Sequence, residues 1–169
     1  IGGWALTEDK IGSDASNLAT TVTKSKDGYK LNGVKRWMGN ANKDLLIVFA
    51  KNENKKVEGY ILETHNHPKG WKSEVIKNKI GLRIVQNCEV TLKDVHVGEE
   101  HKLPAAKDFQ SGTNKILKHS RPIVCWIAVG VCIGAYDNAI KYARERVQFG
   151  KPIAGIYFSI KHSSLSRRN

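Results

Sequence analysis

Three short stretches of this sequence contain residue types that can contact phosphate, carbonyl or aromatic groups. The first runs from Trp4 to Ser16 and includes Gly12, Ser13 and an acidic neighbour. A glycine beside small hydroxyl and acidic residues lets the backbone approach a ligand, with amide and hydroxyl donors directed at its oxygens. The same Gly-Ser-Asp pattern is typical of an ordinary turn or helix cap. By itself, this stretch therefore leaves two interpretations open.

The second stretch, residues 32–40, contains Trp37 followed by Met38 and Gly39. The indole could lie flat against a planar cofactor, and the glycine would again permit close backbone approach. A tryptophan buried in a β core is the alternative.

The third stretch, residues 142–152, follows a region of helical periodicity and contains Arg144 and Arg146. Positive side chains at a helix C-terminus complement the helix dipole, which is a purely structural role. An arginine fork on a pyrophosphate is the functional alternative.

Histidine and cysteine provide weaker signals. His65 and His67 form an HxH pair, but the surrounding Asn, Pro and Gly favour a solvated turn over a metal site. Cys125 and Cys132 would lie about 10 Å apart on a shared helix, too far for a disulfide. With Cys88 as the third cysteine and no CxxC pair, the sequence predicts a reducing compartment.

The formal net charge of +12 predicts a positive surface or an anionic partner. The basic residues are mostly scattered singly and no RNA-binding aromatic signature accompanies them, so we expect no nucleic-acid partner. No unbroken run of about 18 apolar residues is present, so we expect no membrane partner. The start, Ile-Gly-Gly-Trp, is expected for an interior piece of a longer protein.

Residues 1–104 are predicted to form an antiparallel β domain. Between Leu18 and Val97 short alternating apolar runs are separated by turns, and Asp27-Gly28 marks a hairpin because its tight turn requires positive φ. The predicted strands cover residues 20–24, 29–31, 45–50, 60–63, 71–76 and 89–97.

After a connector at 105–112, residues 113–158 are predicted to be helical, with a frayed tail at 159–169. Gly150 and Pro152 give a stop signal, and Gly130 and Gly134 predict close packing against a neighbour. The apolar residues that recur every four positions are Ile123, Ile127, Val131, Ala135, Ala139, Ala143 and Val147.

In this order, the three stretches resemble the acyl-CoA dehydrogenase and acyl-CoA oxidase family. The resemblance runs from Trp4 to about Ala154 and looks closest to the plant peroxisomal short-chain acyl-CoA oxidases, with glutaryl-CoA dehydrogenases next. It implies an α+β fold, in which an antiparallel β-barrel-like middle domain precedes the first helices of an incomplete C-terminal bundle. The motifs that carry it are Leu-Thr-Glu with Gly-Ser-Asp, Asn-Gly with Lys-Arg-Trp, Gly-Leu-Arg at 81–83, Ser120-Arg121, and Arg-Glu-Arg with Gln-Phe-Gly-Lys-Pro.

The resemblance implies FAD as the cofactor and acyl-CoA as the substrate. It places Ser13 and Arg121 near the acyl-CoA, and implies that Arg146, Gln148 and Phe149 reach the FAD of a neighbouring subunit. Binding a whole cofactor would then require a homo-oligomer. The residues it matches to flavin contacts are Trp4, Leu6, Thr7, Gly12, Ser13, Trp37, Met38 and Gly39.

The family's reaction is an α,β-dehydrogenation, in which a carboxylate removes the α-proton while a hydride leaves the β-carbon for the flavin. Many dehydrogenases have a Thr where Gly39 stands, which favours a peroxisomal oxidase of fatty acid β-oxidation that passes electrons to oxygen. A mitochondrial-type dehydrogenase that uses an electron carrier is one alternative, and an inactive truncated remnant is another.

The sequence also departs from the family pattern. No carboxylate can be matched to the catalytic base, so we expect weak or absent FAD binding and no turnover from these 169 residues alone. Asp9 replaces a usual proline, which predicts a looser turn. Tyr157 stands where a Gln is common.

Overall fold

The computed structural model describes residues 1–156, which fall into two compact units, one ending at Leu117 and the other beginning at Lys118. The predicted tail at 159–169 and Tyr157 lie outside the described residues. The first unit contains a seven-stranded sheet. Its strands are β1 (Gly2–Ala5), β2 (Thr21–Ser25), β3 (Gly28–Gly39), β4 (Leu45–Lys51), β5 (Val57–Glu63), β6 (Trp71–Val75) and β7 (Asn87–Val97).

The sheet is curled into a half-barrel with strand order β1-β4-β2-β3-β7-β6, and β5 pairs with the other edge of β4. Most neighbours are antiparallel, as predicted. The prediction was wrong for β1, which the sequence did not identify as a strand and which pairs parallel to β4, with Gly2 opposite Leu45. Alternation of apolar residues indicates a strand but not its direction, so this pairing could not be predicted from the pattern.

The hairpin predicted at Asp27-Gly28 is confirmed. Ser25 pairs with Gly28, whose φ is 135°. A Cβ at position 28 would lie 2.3 Å from the carbonyl oxygen of Val97, so only glycine fits between β3 and β7.

Two apolar clusters stabilise this unit. One joins β2, β3, β4, β5 and β7 and includes Leu31, Val48 and Val90, each fully buried. The other gathers Leu6, Leu18 and Phe49, and the indole of Trp4 packs 4.5 Å from the Phe49 ring between centroids. The second cluster anchors both ends of the segment that connects β1 to β2.

The pairing of β3 with β7 contains two irregularities, and the second changes which way the side chains of β3 point. Its register with β7 shifts between Leu31 and Gly33 and again between Lys35 and Met38. In the second shift Trp37 has a φ of 68°. Because a bulge re-aims the side chains around it, Lys35 points into the core while Trp37 is 49% exposed.

The long helix α1 (Lys115–Glu145) follows a single π-helical turn at Gln110–Asn114. Its start agrees with the predicted change of periodicity, but its predicted end was wrong. The chain leaves the helix at Glu145 and forms a hairpin of β8 (Val147–Gln148) and β9 (Lys151–Pro152). Phe149 and Gly150 both have positive φ, as a two-residue hairpin turn requires, so Gly150 closes a hairpin instead of capping a helix.

Helix α1 has no buried residue and contains Pro122. The helical segment Gln110–Glu145 is long and apolar enough to cross a membrane by length and composition. A core helix of a water-soluble bundle passes the same test, so this property does not assign the helix to a membrane. Added Cβ atoms at Gly130 and Gly134 would meet nothing within 4 Å, so the packing predicted for them is not formed within residues 1–156.

Candidate functional site

The first two of the three stretches singled out in the sequence, residues 4–16 and 32–40, contact each other. The segment Leu6–Thr20 follows β1, and its first residues are held beside β3 by hydrogen bonds to their backbone carbonyls. The amide of Arg36 donates to the carbonyl of Thr7 at 3.0 Å, and the ammonium of Lys35 donates to the carbonyl of Leu6, also at 3.0 Å. Leu6 and Thr7, two of the residues matched to flavin contacts, therefore lie beside the part of β3 that precedes Trp37.

A buried ion pair fixes this arrangement. The carboxylate of Glu8 accepts from Lys35 Nζ at 2.9 Å, and the side chain of Lys35 is completely buried. The same carboxylate accepts from the amide of Ala19 at 2.6 Å, and from the amide and hydroxyl of Thr20 at 2.9 and 2.6 Å. One side chain thus joins the beginning of the Leu6–Thr20 segment to its end and to β3.

The pKa values of the pair reflect this burial. Burial lowers the pKa of Lys35 to about 8, although the hydrogen bond and charge of Glu8 act in the opposite direction. For Glu8, burial raises the pKa, but the hydrogen bonds from Thr20, Ala19 and Lys35 outweigh it and the pKa is lowered. Glu8 is therefore ionised near neutral pH and engaged by donors, unlike a free catalytic base.

A second charged contact lies at the surface beside the first. Arg36 Nη1 donates to Asp9 at 2.6 Å, and its guanidinium carbon lies 5.3 Å from the centre of the Trp37 ring. Two backbone hydrogen bonds between Glu8 and Ile11 close the turn around Asp9. The ion pair with Arg36 and the two turn bonds hold Asp9 without the usual proline, and the looseness expected of this turn stays a prediction.

Trp37 is not a core residue, so that interpretation is excluded. Its ring is half exposed, and its carbonyl accepts from Asn87 Nδ2 at 2.8 Å, which fixes the bulged backbone. Met38 has the reverse character, with its side chain 3% exposed in the core. A ligand at this strand could therefore use the indole of Trp37 but only the backbone of Met38.

Gly12 and Ser13 lie on the exposed part of the segment. A Cβ at Gly12 would meet nothing within 4 Å, so the space beside it is open. Asp14 accepts from Asn17 Nδ2 at 2.7 Å and from Ser16 Oγ at 3.1 Å, and these bonds lower its pKa. Asp14 therefore performs turn chemistry, while Gly12 and Ser13 remain available to a ligand.

Trp4 and Gly39 meet at an apolar depression of about 500 Å³. Its floor requires glycine, because a Cβ at Gly3 would lie 2.7 Å from the carbonyl oxygen of Gly39. A Cβ at Gly39 itself would make only ordinary contacts, the nearest 3.6 Å from Val85. Open apolar surface beside backbone groups and the half-buried indole of Trp4 is the kind of surface that accepts a planar ring such as that of a flavin.

The remaining predicted site residues belong to the second unit. Arg121 is exposed on α1, and Arg146 follows the helix, its amide donating to the carbonyl of Tyr142 at 2.8 Å. Gln148 and Phe149 belong to the terminal hairpin, with Phe149 93% exposed. Their roles toward FAD and acyl-CoA stay predictions from the resemblance.

Residues 1–156 contain no cluster of His, Cys, Asp and Glu that could hold a metal ion. His65 lies in a short 3₁₀ turn, with its Nδ1 3.1 Å from the carbonyl oxygen of Asp44, which agrees with the turn interpretation of the HxH pair. Glu8 and Asp9, the carboxylates next to the candidate flavin residues, are both engaged by cations.

Sequence reasoning assigned no role to Glu8, Lys35 or Arg36, although all three lie within the quoted motifs. A weak signal for the burial of Lys35 existed, because Lys35 lies four positions after Leu31 on the same strand. Alternation along β3 puts both on one face, and both are buried, because the extra residue of the first register shift lies on β7. The partner of a buried lysine, however, follows only from the tertiary structure.

Comparison with known proteins agrees with this geometry. Residues 3–95 match the family model of the acyl-CoA dehydrogenase middle domain, and residues 111–161 match that of the acyl-CoA dehydrogenase C-terminal domain. The caffeyl-CoA reductase-Etf complex subunit CarC of Acetobacterium woodii is 35% identical over 156 residues, which cover 89% of this chain and 41% of the relative. The glutaryl-CoA dehydrogenase of Desulfococcus multivorans is 33% identical, over 90% of this chain and 40% of the relative.

Among solved structures, glutaryl-CoA dehydrogenase from Mycobacterium smegmatis in complex with FADH2 superposes with a TM-score of 0.89 at 25% identity. The match covers 98% of this chain and 42% of that protein. This chain thus spans about two-fifths of the length of these relatives. They are named as dehydrogenases or as a reductase subunit, so the predicted closeness to plant peroxisomal oxidases is not supported.

Proposed function

Since this chain belongs to the acyl-CoA dehydrogenase family, we propose that it carries the flavin- and acyl-CoA-contacting portion of an FAD-dependent acyl-CoA dehydrogenase. The observation that supports the proposal most directly is the joining of the Leu6–Thr20 segment to β3 by Glu8 and Lys35. That joint holds Thr7 beside β3, since the amide of Arg36 donates to its carbonyl, and we propose that Ser13 on the same segment faces the same ligand as Trp37 and Gly39.

In this proposal, residues of the first unit bind and orient the ring system. Thr7 and the backbone of residues 37–39 contact the flavin, and Gly12 and Ser13 offer donors to flavin and thioester oxygens. The flavin would supply the hydride acceptor for α,β-dehydrogenation of the acyl thioester. The base that removes the α-proton has no match among the carboxylates of this sequence.

The names of the relatives favour transfer of electrons to a protein carrier. The Acetobacterium woodii relative is named as part of an Etf complex, and the other two are dehydrogenases. Oxygen as acceptor is the second candidate, favoured by one residue: Gly39 lacks the hydroxyl side chain that many dehydrogenases have at this strand position.

The arginine and hairpin residues of the second unit, Arg146, Gln148 and Phe149, are proposed to complete the FAD site of a neighbouring subunit. Their exposure is compatible with an intermolecular role. The acyl-CoA contact of Arg121 is part of the same proposal, and short-chain acyl-CoA is the proposed substrate class.

Ligand binding can be tested with the 169-residue chain in a Trp126→Phe background, so that tryptophan fluorescence reports only on residues 1–117. We expect FAD to quench this fluorescence saturably, with weak affinity, and Trp37→Phe to remove most of the quenching. ADP is the matched control for binding through the adenylate half alone. An equal response to ADP, or no saturable response to FAD, would contradict the proposal.

The electron acceptor can be tested in the longer protein encoded with its flanking sequence. We expect oxidation of a short acyl-CoA to require an electron-transfer flavoprotein and to form little hydrogen peroxide. Turnover with oxygen alone would favour the oxidase. Gly39→Thr sharpens the test, because its Cβ fits without a clash and it restores a hydroxyl at this position.

A further inference from the structure

The contacts of Glu8 and Lys35 form a closed clasp around the exposed segment that contains Gly12 and Ser13. Glu8 lies near the start of the segment, and two of its donors, Ala19 and Thr20, lie at its end. Lys35 adds a bond from β3 to Glu8 and another to the carbonyl of Leu6. The intervening residues form a compact loop whose two ends are held by one carboxylate.

The core does not require a charge at this position. The neighbouring buried residues of β3, Leu31 and Met38, are apolar and pack in the same cluster. A buried ion pair is often no more stabilising than an apolar pair of similar volume, because desolvation offsets the attraction. Unlike an apolar pair, the ion pair supplies directed hydrogen bonds to the backbone of the loop.

The clasp acts on both candidate ligand surfaces together. Lys35 is two residues before Trp37, at the start of the bulge that exposes the indole. Glu8 directly follows Thr7, whose carbonyl is bound by the next β3 residue, Arg36. A displacement of the Glu8 carboxylate would therefore move the loop relative to the exposed end of β3.

We infer that Glu8 and Lys35 are positioning residues that set the Leu6–Thr20 loop against β3 and thereby set the spacing of the flavin-contacting groups. The part of this inference that concerns flavin rests on the proposed function, whereas the part that concerns loop order does not. Neither side chain can contact the ligand directly, because Lys35 is fully buried and Glu8 is only 7% exposed.

The test compares Glu8→Gln with Glu58→Gln in the full 169-residue chain. Glu58 is a matched control, because its carboxylate is also largely buried and also binds a lysine, Lys102, at 3.0 Å. Glu58 additionally accepts from the Tyr60 hydroxyl at 2.7 Å, and its partners hold no part of the loop. Both substitutions keep an acceptor oxygen and remove a charge.

The first measurement is amide hydrogen exchange without ligand, resolved by peptide. We expect Glu8→Gln to accelerate exchange within residues 9–18 at least tenfold more than within β4 and β5, whose exchange reports the loss of overall stability. Glu58→Gln should leave residues 9–18 within threefold of the wild type. The inference is overturned if Glu8→Gln leaves the loop unchanged, or if it accelerates β4 and β5 as much as the loop.

The second measurement is the FAD titration described above, with both variants. We expect Glu8→Gln to weaken FAD binding at least tenfold, whereas Glu58→Gln changes it less than twofold. If the wild type does not bind FAD, the proposed function of this chain fails, and the exchange measurement still decides whether the pair positions the loop. If FAD binds equally to wild type and Glu8→Gln, the positioning role toward flavin is wrong while the proposed function survives.

Discussion

Two carboxylate–lysine pairs in the β unit have nearly the same length and different surroundings. Glu8 and Lys35 are 2.9 Å apart with side chains 7% and 0% exposed, whereas Glu58 and Lys102 are 3.0 Å apart and 10% and 30% exposed. Glu8 also binds the backbone of a loop, while Glu58 also binds the hydroxyl of Tyr60 on its own strand. The first pair defines a loop position, and the second supports packing around β5.

The distance between two charged groups therefore does not by itself determine how much an ion pair matters for stability. Lys102 keeps access to water and lies 5.3 Å from the Tyr29 ring centre, so it retains favourable surroundings if Glu58 is lost. Lys35 has no exposed surface and would remain as a buried charge without its partner. Breaking the buried pair should therefore be the more costly change.

Removing Lys35 is predicted to have the largest effect on stability. Lys35→Met leaves the Glu8 carboxylate buried without its cation, and losing one partner of a buried pair costs about 3–5 kcal/mol. Urea denaturation of the Trp126→Phe chain, followed by tryptophan fluorescence, measures the change for residues 1–117. The double variant Glu8→Gln/Lys35→Met should be more stable than Lys35→Met alone, because no unpaired charge remains.

Lys102→Met is the matched control, with an expected loss of about 1 kcal/mol or less, since a partly exposed pair contributes little. Equal losses for Lys35→Met and Lys102→Met would show that burial does not distinguish the two pairs.

The free energy of unfolding should depend on pH in part through the proton that Lys35 binds. Burial lowers its pKa to about 8, so the folded protein binds this proton more weakly than the unfolded chain, in which lysine has a pKa of about 10.4. The unfolded state therefore binds more protons between these values, and the contribution of Lys35 to the unfolding free energy rises with pH from about 8 to about 10.4. Below pH 8 this contribution is constant.

Denaturation curves of wild type and Lys35→Met, recorded across that range, isolate the effect as a difference. We expect the difference to grow with pH above 8 and to be flat between pH 6 and 8. A difference that stays flat throughout would mean that Lys35 keeps its proton in the folded protein.

The sequence allowed the α+β fold and most strands to be predicted, because those features follow from local periodicity and turn chemistry. The Asp27-Gly28 hairpin is an example, since its glycine requirement is set by two adjacent residues. The clasp could not be predicted in the same way. Glu8 and Lys35 are 27 residues apart, so no local pattern in either segment pairs the two side chains.

The parallel pairing of β1 with β4 and the hairpin after α1 were missed for related reasons. Strand direction depends on a pairing across some forty residues, from Gly2 to Leu45. At the end of α1, Gly150 gives the same local signal for a helix cap and for a hairpin turn, and the cross-strand pairing of Gln148 with Lys151 decides between them.

Tyr60 contacts the second pair, Glu58 and Lys102, and its removal should change stability by an intermediate amount. Its side chain is fully buried, its hydroxyl donates to Glu58, and burial together with that carboxylate raises its pKa. Tyr60→Phe removes one hydrogen bond but leaves Lys102 to pair with Glu58, so we expect a loss of about 1 kcal/mol in the unfolding free energy. Amide exchange within residues 9–18 should not change, and acceleration there would mean that the two pairs are coupled.

The smallest effect on stability is expected at the surface contact between Asp9 and Arg36. Their side chains are 60% and 35% exposed, so Asp9→Asn should lower the unfolding free energy by no more than about 0.5 kcal/mol, and less at high salt. The same substitution should nevertheless alter the fluorescence of Trp37, because Arg36 then loses the nearer of its two carboxylates, keeps only Glu89 at 3.8 Å, and shifts over the indole. Trp37→Phe identifies that component of the emission.

Asp9→Asn therefore separates two properties that change together at the buried pair. If the Trp37 signal and FAD quenching change while stability does not, the surface contact adjusts the exposed indole without supporting the fold. If Asp9→Asn instead lowers stability as much as Lys35→Met, the loop is held equally by both charged contacts, and the distinction between a buried clasp and a surface contact is lost.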